Sequence, residues 1–382
     1  MNPTVHLVQS GESFFRELDA LIGSAAAEFH LQTYRLAEDE TGKRVIAALQ
    51  AAVARGVNVY LLLDAYGSRG FSKQFIAAIK SAGIQLRFFS PLFSFKGWFF
   101  GRRLHHKIAV ADSKRALIGG INIADRYRGT EEEAAWLDFA VWLEGGICQK
   151  VHSLCTELWG KRLLPPIYLL NRDKLSKQLA GDPTRIIHND WFRYQNQVDD
   201  RYRKAVRKAQ HSILIVASYF LPGNRFRNAL VQAVQRGAKV QIVLAGRSDV
   251  PLLKFASTHL YRWLLKNNME VYEWHGSVLH AKVMVIDGSW CTLGSFNLNY
   301  LSTYGSIETN VESSEPALVG ELKGILADVL ANCQQITLED FEKKAGWWTR
   351  IRNWWSYRLM RRAFLIMTFF TFKRLGQTTF KE

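Results

Sequence analysis

Apolar and polar positions along this chain follow a rhythm that runs through twice. In VIAALQAAVARGVNVYLLLD (residues 45–64), apolar residues recur at three-to-four spacing and then merge into a continuous run. That pattern predicts an amphipathic helix, ended at Gly56, leading into a buried strand. FRNALVQAVQRGAKVQIVLA (226–245) reads the same way, with Leu230, Arg236 and Gly237 at the spacing of Leu49, Arg55 and Gly56. An opening strand precedes each segment, EFHLQTYRL (28–36) and HSILIVASYFLP (211–222).

After a further helix, each half reaches a stretch that alternates with period two: LHHKIAVADSKRALIGGINI (104–123) and LHAKVMVIDGSWCTLGSFNLN (279–299). Alternation predicts a strand whose His280 and Lys282 leave one face while Ala281, Val283 and Val285 enter a core. Asp287-Gly288 is a hairpin-turn signal, with Ser113 and its neighbours in that place in the first copy, and a return strand follows. Strands alternating with helices imply an α/β fold. The expectation is two similar α/β domains, each on a largely parallel sheet, packed face to face about a pseudo-twofold axis. Their bounds read as 1–160 and 201–340, with a connecting segment at 161–200 that holds Pro165-Pro166 and Gly181-Asp182-Pro183, and a tail at 341–382.

Composition narrows the partners. The chain has 382 residues, 48% of them hydrophobic, enough for a sizeable core, and a net charge of +16 that calls for an anionic partner, nucleic acid or an acidic membrane surface. The four cysteines lack metal-ligand spacing and read as unpaired thiols in a reducing setting. The amino terminus lacks the pattern of a signal peptide, and no apolar run reaches the length of a membrane span. Membrane contact, where it occurs, should be peripheral.

Two segments favour the membrane. FFSPLFSFKGWFF (88–100) reads as an exposed aromatic loop. From Lys343 to Glu382 there are ten Lys or Arg and a single acid, with Trp347, Trp348, Trp354 and Trp355 among them. On a helical wheel Trp348, Trp355, Leu359, Phe364 and Ile366 group together, which suits a helix lying in the interface of an anionic bilayer. The plainer alternatives are a terminal helix docked on the body and a tail that binds nucleic acid.

The two period-two stretches carry the chemistry. His105, Lys107, Asp112, Gly119 and Asn122 recur at the same offsets as His280, Lys282, Asp287, Gly294 and Asn297. A lone His in such a strand is ordinarily a satisfied core residue. Two copies that keep His, Lys and Asn together are costly for a core face and point to a site. Such a site is cationic and rich in donors, which suits a phosphodiester. Lys and Asn can hold the non-bridging oxygens, one His can attack phosphorus, and the other can protonate the leaving alkoxide.

The doubled H-x-K-x4-D-x6-G-x2-N pattern resembles the phospholipase D superfamily, over about residues 5–335. The layout is most similar to bacterial cardiolipin synthases without amino-terminal transmembrane helices: Arg55-Gly56 and Arg236-Gly237, SYFLPGNRF at 218–226, and GSFNLNYLS followed by Glu308-Thr309-Asn310 all fit. The resemblance implies a ping-pong phosphatidyl transfer through a phosphohistidine, with a slight preference for His105 as nucleophile. Lys107, Lys282, Asn122 and Asn297 would grip phosphate. Asp112 and Asp287 belong to the signature as catalytic residues, although their turn position equally suits a structural role. A downstream carboxylate should orient each His, Glu308 in the second half and Asp138, at a different spacing, in the first. No metal or cofactor is implied.

The expected reaction makes cardiolipin from two phosphatidylglycerols, on the cytoplasmic face of a bacterial inner membrane. A phospholipase D-type hydrolase or a metal-independent nuclease is the alternative within the superfamily. The absence of a recognisable nucleic-acid module weighs against the nuclease. An inactive membrane scaffold is the reading from another class, and two intact motifs weigh against it.

Overall fold

The architecture was determined from a computed structural model that describes residues 4–90, 102–160, 182–190, 195–344 and 346–373. In the first half the strands are β1 (Val5–Gln9), β2 (Glu28–Thr33), β3 (Asn58–Asp64), β4 (Gln85–Phe89), β5 (Arg103–Leu104), β6 (Lys107–Ala111), β7 (Arg115–Gly119) and β8 (Phe139–Glu144). The second half supplies β9 (Thr184–Asp190), β10 (Gln195–Asn196), β11 (Ser212–Ala217), β12 (Lys239–Ala245), β13 (Glu270–Trp274), β14 (Lys282–Ile286), β15 (Trp290–Gly294), β16 (Ser306–Ser313) and β17 (Gln334–Ile336).

The first sheet runs β1-β8-β7-β6-β2-β3-β4, and the second contains β9-β16-β15-β14-β11-β12-β13 in the corresponding order. The duplication expected from the sequence is therefore present strand for strand. Neither sheet is largely parallel, however. β2, β3 and β4 are parallel, whereas β6, β7, β8 and β1 join antiparallel. The hairpin in each repeat forces this, because a short turn can only return the chain antiparallel. The second half also begins earlier than expected. β9 lies within the 161–200 segment and pairs antiparallel with β16, as β1 does with β8. Its sequence, TRIIHND, is buried nearly throughout and so lacks the alternation that marks a half-exposed strand.

The predicted helices stand where the periodicity put them, at Glu40–Ala54 and Asn224–Gln235. Gly56 and Gly237 follow at φ 90° and 94°, a conformation glycine adopts without penalty. The arginine before each glycine closes the previous layer. Arg55 donates to Ile22 O at 2.9 Å, and Arg236 to Val206 O at 3.1 Å.

Three cores result. Phe15, Leu18, Leu49 and Leu61 fill the helix side of the first sheet, and Leu230, Ile242 and Leu264 that of the second. A third joins the sheets, with Ile108 and Val110 packed in one cluster with Ala281, Val283 and Val285. The helices Ile147–Trp159 and Pro316–Ala331 contribute to it through Val151 and Leu322. All four cysteines are free thiols.

Of the aromatic stretch, Phe88 and Phe89 are partly buried in β4, and residues 91–100 lie outside the described residues. The tail forms a helix, Trp347–Lys373. Asn353, Ser356 and Phe364 are buried, and Tyr357 and Met360 pack against the second core, so one stripe docks on the body. Phe364 does not share the tryptophan face expected of it: at 100° per residue it stands about 160° from Trp348, which explains its burial. Trp348 and Trp355 remain 69% and 58% exposed on another face. Among the described residues, no helix is long and apolar enough to cross a membrane.

Candidate active site

Both histidines stand where the two halves are stitched together. β5 runs parallel to the start of β16, pairing Leu104 with Ile307, and His105 N–H donates to Ile307 O at 3.0 Å. That register sets the next residue, Glu308, against the imidazole, with Oε2 2.9 Å from His105 Nδ1. The other half mirrors it. Leu279 bridges Leu137 in parallel, His280 N–H donates to Leu137 O at 2.9 Å, and Asp138 Oδ2 lies 2.6 Å from His280 Nδ1.

Each carboxylate therefore serves the histidine of the opposite half, which corrects the expected pairing of Asp138 with His105 and Glu308 with His280. The cause is geometric: β16 and β8, the strands that follow the motifs, begin at the interface, beside the partner motif. The unequal spacing has a local origin. A loop, residues 129–138, separates the helix Asp125–Arg128 from β8, whereas only Gly305 separates Tyr300–Tyr304 from β16.

A carboxylate at Nδ1 holds the proton there and leaves Nε2 with a lone pair for chemistry. His105 is the more open of the two, its side chain 17% exposed against 7% for His280. Lys107 and Lys282 lie buried beside them. Lys282 Nζ is 2.9 Å from His280 Nδ1 and 3.7 Å from Asp138 Oδ2, and Lys107 Nζ donates to His105 O at 2.5 Å. Asn122 Oδ1 accepts from Arg35 N at 3.1 Å and its Nδ2 donates to Tyr127 Oη at 2.8 Å. Asn297 Oδ1 accepts from Ser218 Oγ at 3.0 Å. The glycines of the motif let neighbouring strands approach: a Cβ on Gly119 would come within 2.4 Å of Phe139 O, and one on Gly294 within 2.5 Å of Thr309 O. Gly120 makes room for the Asp138 carboxylate, and Ser295, one residue past Gly294, donates to Glu308 Oε2 at 2.6 Å.

The signature aspartates are elsewhere. Asp112 follows β6 in the turn, about 16 Å along the chain from Lys107. Its carboxylate accepts from Ala26 N at 2.8 Å and from Ala27 N and Glu28 N at 2.9 Å. Asp287 does the same for Gln210 N, His211 N and Ser212 N. Both aspartates have φ near +50°, as the turn requires. The catalytic reading of these two residues gives way to a clamp that ties each hairpin to the start of β2 or β11. Alanine at either position should lower stability by about 1–2 kcal/mol, solvent access keeping the loss modest, and leave turnover of the folded protein nearly unchanged. Chemical denaturation alongside kcat checks this.

Electrostatics couple the two histidines and two lysines of the motifs to one another. Burial lowers the pKa of His105, opposed by Glu308 and reinforced by Lys107 and Lys282. Burial pushes His280 well below its ordinary value, and Lys282 adds to that. Burial raises Asp138 to about 6 and brings Lys107 down to about 7. An anion favours the charged form of Lys107. Binding of sulfate should therefore draw in a proton, and affinity should fall about tenfold per pH unit above about pH 7. Titration calorimetry in buffers of different ionisation enthalpy reads both effects.

Sequence reasoning missed several neighbours. The Tyr34 ring meets His105 edge-on at 5.0 Å, and Tyr127 and Trp136 stand 5.2 Å and 6.0 Å from the His280 ring. Asp249, in the loop after β12, accepts from Tyr219 Oη and favours the charged form of His280. Tyr34 and Tyr219 follow the carboxyl ends of β2 and β11, and a site at the carboxyl ends of parallel strands was the available signal.

This duplicated α/β fold, with paired H-x-K motifs meeting at its centre, defines a phospholipase D-like protein. The family model described as "Cardiolipin synthase, PLD-like domain" matches residues 18–159 and again 202–329, and the chain belongs to that family. It is 30% identical to cardiolipin synthase B of Escherichia coli (strain K12) over 374 residues, 94% of this chain and 87% of the relative. It is 27% identical to the minor cardiolipin synthase ClsB of Bacillus subtilis (strain 168) over 342 residues, 89% of this chain and 84% of the relative. A crystal structure of phosphatidylserine synthase from Haemophilus influenzae Rd KW20 superposes with a TM-score of 0.73, covering 95% of this chain and 94% of the other at 12% identity, a likeness of fold.

Proposed function

We propose that this chain transfers a phosphatidyl group from one phosphatidylglycerol to a second, forming cardiolipin and releasing glycerol. The observation that carries the proposal is the reciprocal pairing of two histidines with carboxylates of the opposite halves, His105 with Glu308 and His280 with Asp138. The names of the family and of its full-length relatives point the same way.

His105 Nε2 attacks phosphorus; the P–N bond forms as the P–O bond to glycerol breaks, and His280 gives its proton to the departing oxygen. His280 then takes the hydroxyl proton of the second phosphatidylglycerol, whose oxygen attacks phosphorus and releases His105. Lys107, Lys282, Asn122 and Asn297 hold the non-bridging oxygens as charge develops. Burial and then the lysine charges depress His280; the bound phosphodiester offsets those charges, which equips it to act as the acid. The site needs both domains, so neither motif works alone.

The chain works at the cytoplasmic face of the inner membrane as a peripheral protein, with the exposed tryptophan face of the Trp347–Lys373 helix against anionic lipid. Each arginine near such a leaflet contributes about 1 kcal/mol, so Arg358→Gln with Arg362→Gln should weaken vesicle binding about thirtyfold at low salt. Unchanged sedimentation with vesicles would refute this role.

The test of the function is product identity. Purified protein with phosphatidylglycerol vesicles should release cardiolipin and glycerol in equal amounts. Phosphatidic acid as the sole lipid product would make the chain a hydrolase, and cleavage of single-stranded DNA with no lipid product would make it a nuclease.

A further inference from the structure

We propose that Glu28, His30 and His152 form a divalent-cation site, suited to Zn2+, that pins the helix Ile147–Trp159 to β2. Glu28 and His30 are two residues apart on β2, so their side chains leave the same face of the sheet. His152 reaches that face from the helix. One donor atom from each, a carboxylate oxygen and two imidazole nitrogens, lie within 4.8 Å of one another. His152 Nε2 is 2.6 Å from Glu28 Oε1, and His30 Nε2 is 3.8 Å from Glu28 Oε2. Ligands around a single tetrahedral zinc stand about 3.3 Å apart, between those two values.

An independent observation is the state of His30. It is 2% exposed, and neither ring nitrogen has a hydrogen-bond partner among the described residues. Buried polar groups almost always find a partner. An ion pair between Glu28 and His152 alone would leave His30 orphaned; a cation shared by the three would not. The ligands are also held in place. Tyr60 stacks on His30 with ring centroids 4.5 Å apart, and Glu28 N–H is clamped by Asp112. Side-chain exposures of 33% for Glu28 and 22% for His152 leave one side open for an ion and a water to enter.

Two imidazoles and a carboxylate, with a fourth position for water, are a donor set zinc favours. The site lies apart from the catalytic histidines but on a strand that supports them. Gln32, two residues beyond His30, meets His106 Nε2 at 3.0 Å, next to His105. A bound ion would fix β2 against the helix and so steady that support.

The test uses the full chain, stripped with chelator and titrated with Zn2+. One equivalent should bind and raise Tm, and Co2+ in its place should give the visible absorption of a four-coordinate ion. His152→Ala and Glu28→Gln should each weaken binding at least about tenfold and remove the metal-dependent rise in Tm. Circular dichroism in chelator should match the parent, and Glu28→Gln carries the test alone should His152→Ala fail to fold. His6→Ala, at a surface contact with Glu17, should change nothing. The proposal is overturned if the parent binds no stoichiometric zinc. Zinc retained undiminished in Glu28→Gln would place the ion elsewhere and overturn it equally.

Discussion

Alanine at His105 or at His280 should each lower turnover at least about a thousandfold, with Tm and vesicle binding unchanged. Both losses are large because both steps need both rings, one bonded to phosphorus and the other carrying the proton. The two variants separate when the leaving group needs no proton. With an aryl phosphodiester, His280→Ala should still form the covalent adduct and release the phenol in a burst, because phenolate departs unaided. His105→Ala should give no burst. If either variant kept more than a few per cent of turnover on phosphatidylglycerol, the two-histidine mechanism would be wrong.

The second large effect follows from the crossed carboxylates. Glu308→Gln removes the charge that orients His105 and supports the imidazolium, and Asp138→Asn does so for His280. Each should cost about a hundredfold to ten-thousandfold in kcat. Their signatures should differ. Glu308→Gln should lower the His105 pKa further, since the carboxylate is the main influence raising it, and leave His280 nearly unmoved. Asp138→Asn should act first on the His280 ring that it touches. Histidine NMR titrations read this directly. A shift of His280 alone in Glu308→Gln would restore pairing within each half.

What was readable in the chain divides by range. The helix–glycine–strand units, the hairpin turns and the repeated His, Lys, Gly and Asn were legible because each is a local pattern with a local cause. β9 was not, since burial on both faces erases the alternation by which a strand is recognised. The crossed pairing was not legible either: Asp138 and Glu308 could be picked out, but their partners depend on a parallel register across the interface of the two halves, set by Leu104 with Ile307 and Leu137 with Leu279. Asp112 and Asp287 carry both a catalytic and a structural reading in the sequence, and three backbone N–H donors to each, with a positive φ, favour the structural one. The docked stripe of the tail helix lies in the chain's periodicity, with Asn353 and Ser356 among the buried positions; their polarity hid it.

In the proposed mechanism one histidine, His105, carries the phosphatidyl group while the other half supplies its carboxylate. That assignment is tested most directly by rapid quenching of the enzyme with labelled phosphatidylglycerol, followed by mass spectrometry of the peptides. A phosphatidyl adduct should form on His105 and pass into cardiolipin when unlabelled phosphatidylglycerol is added. An adduct on His280, or cardiolipin formed with no adduct at all, would contradict it.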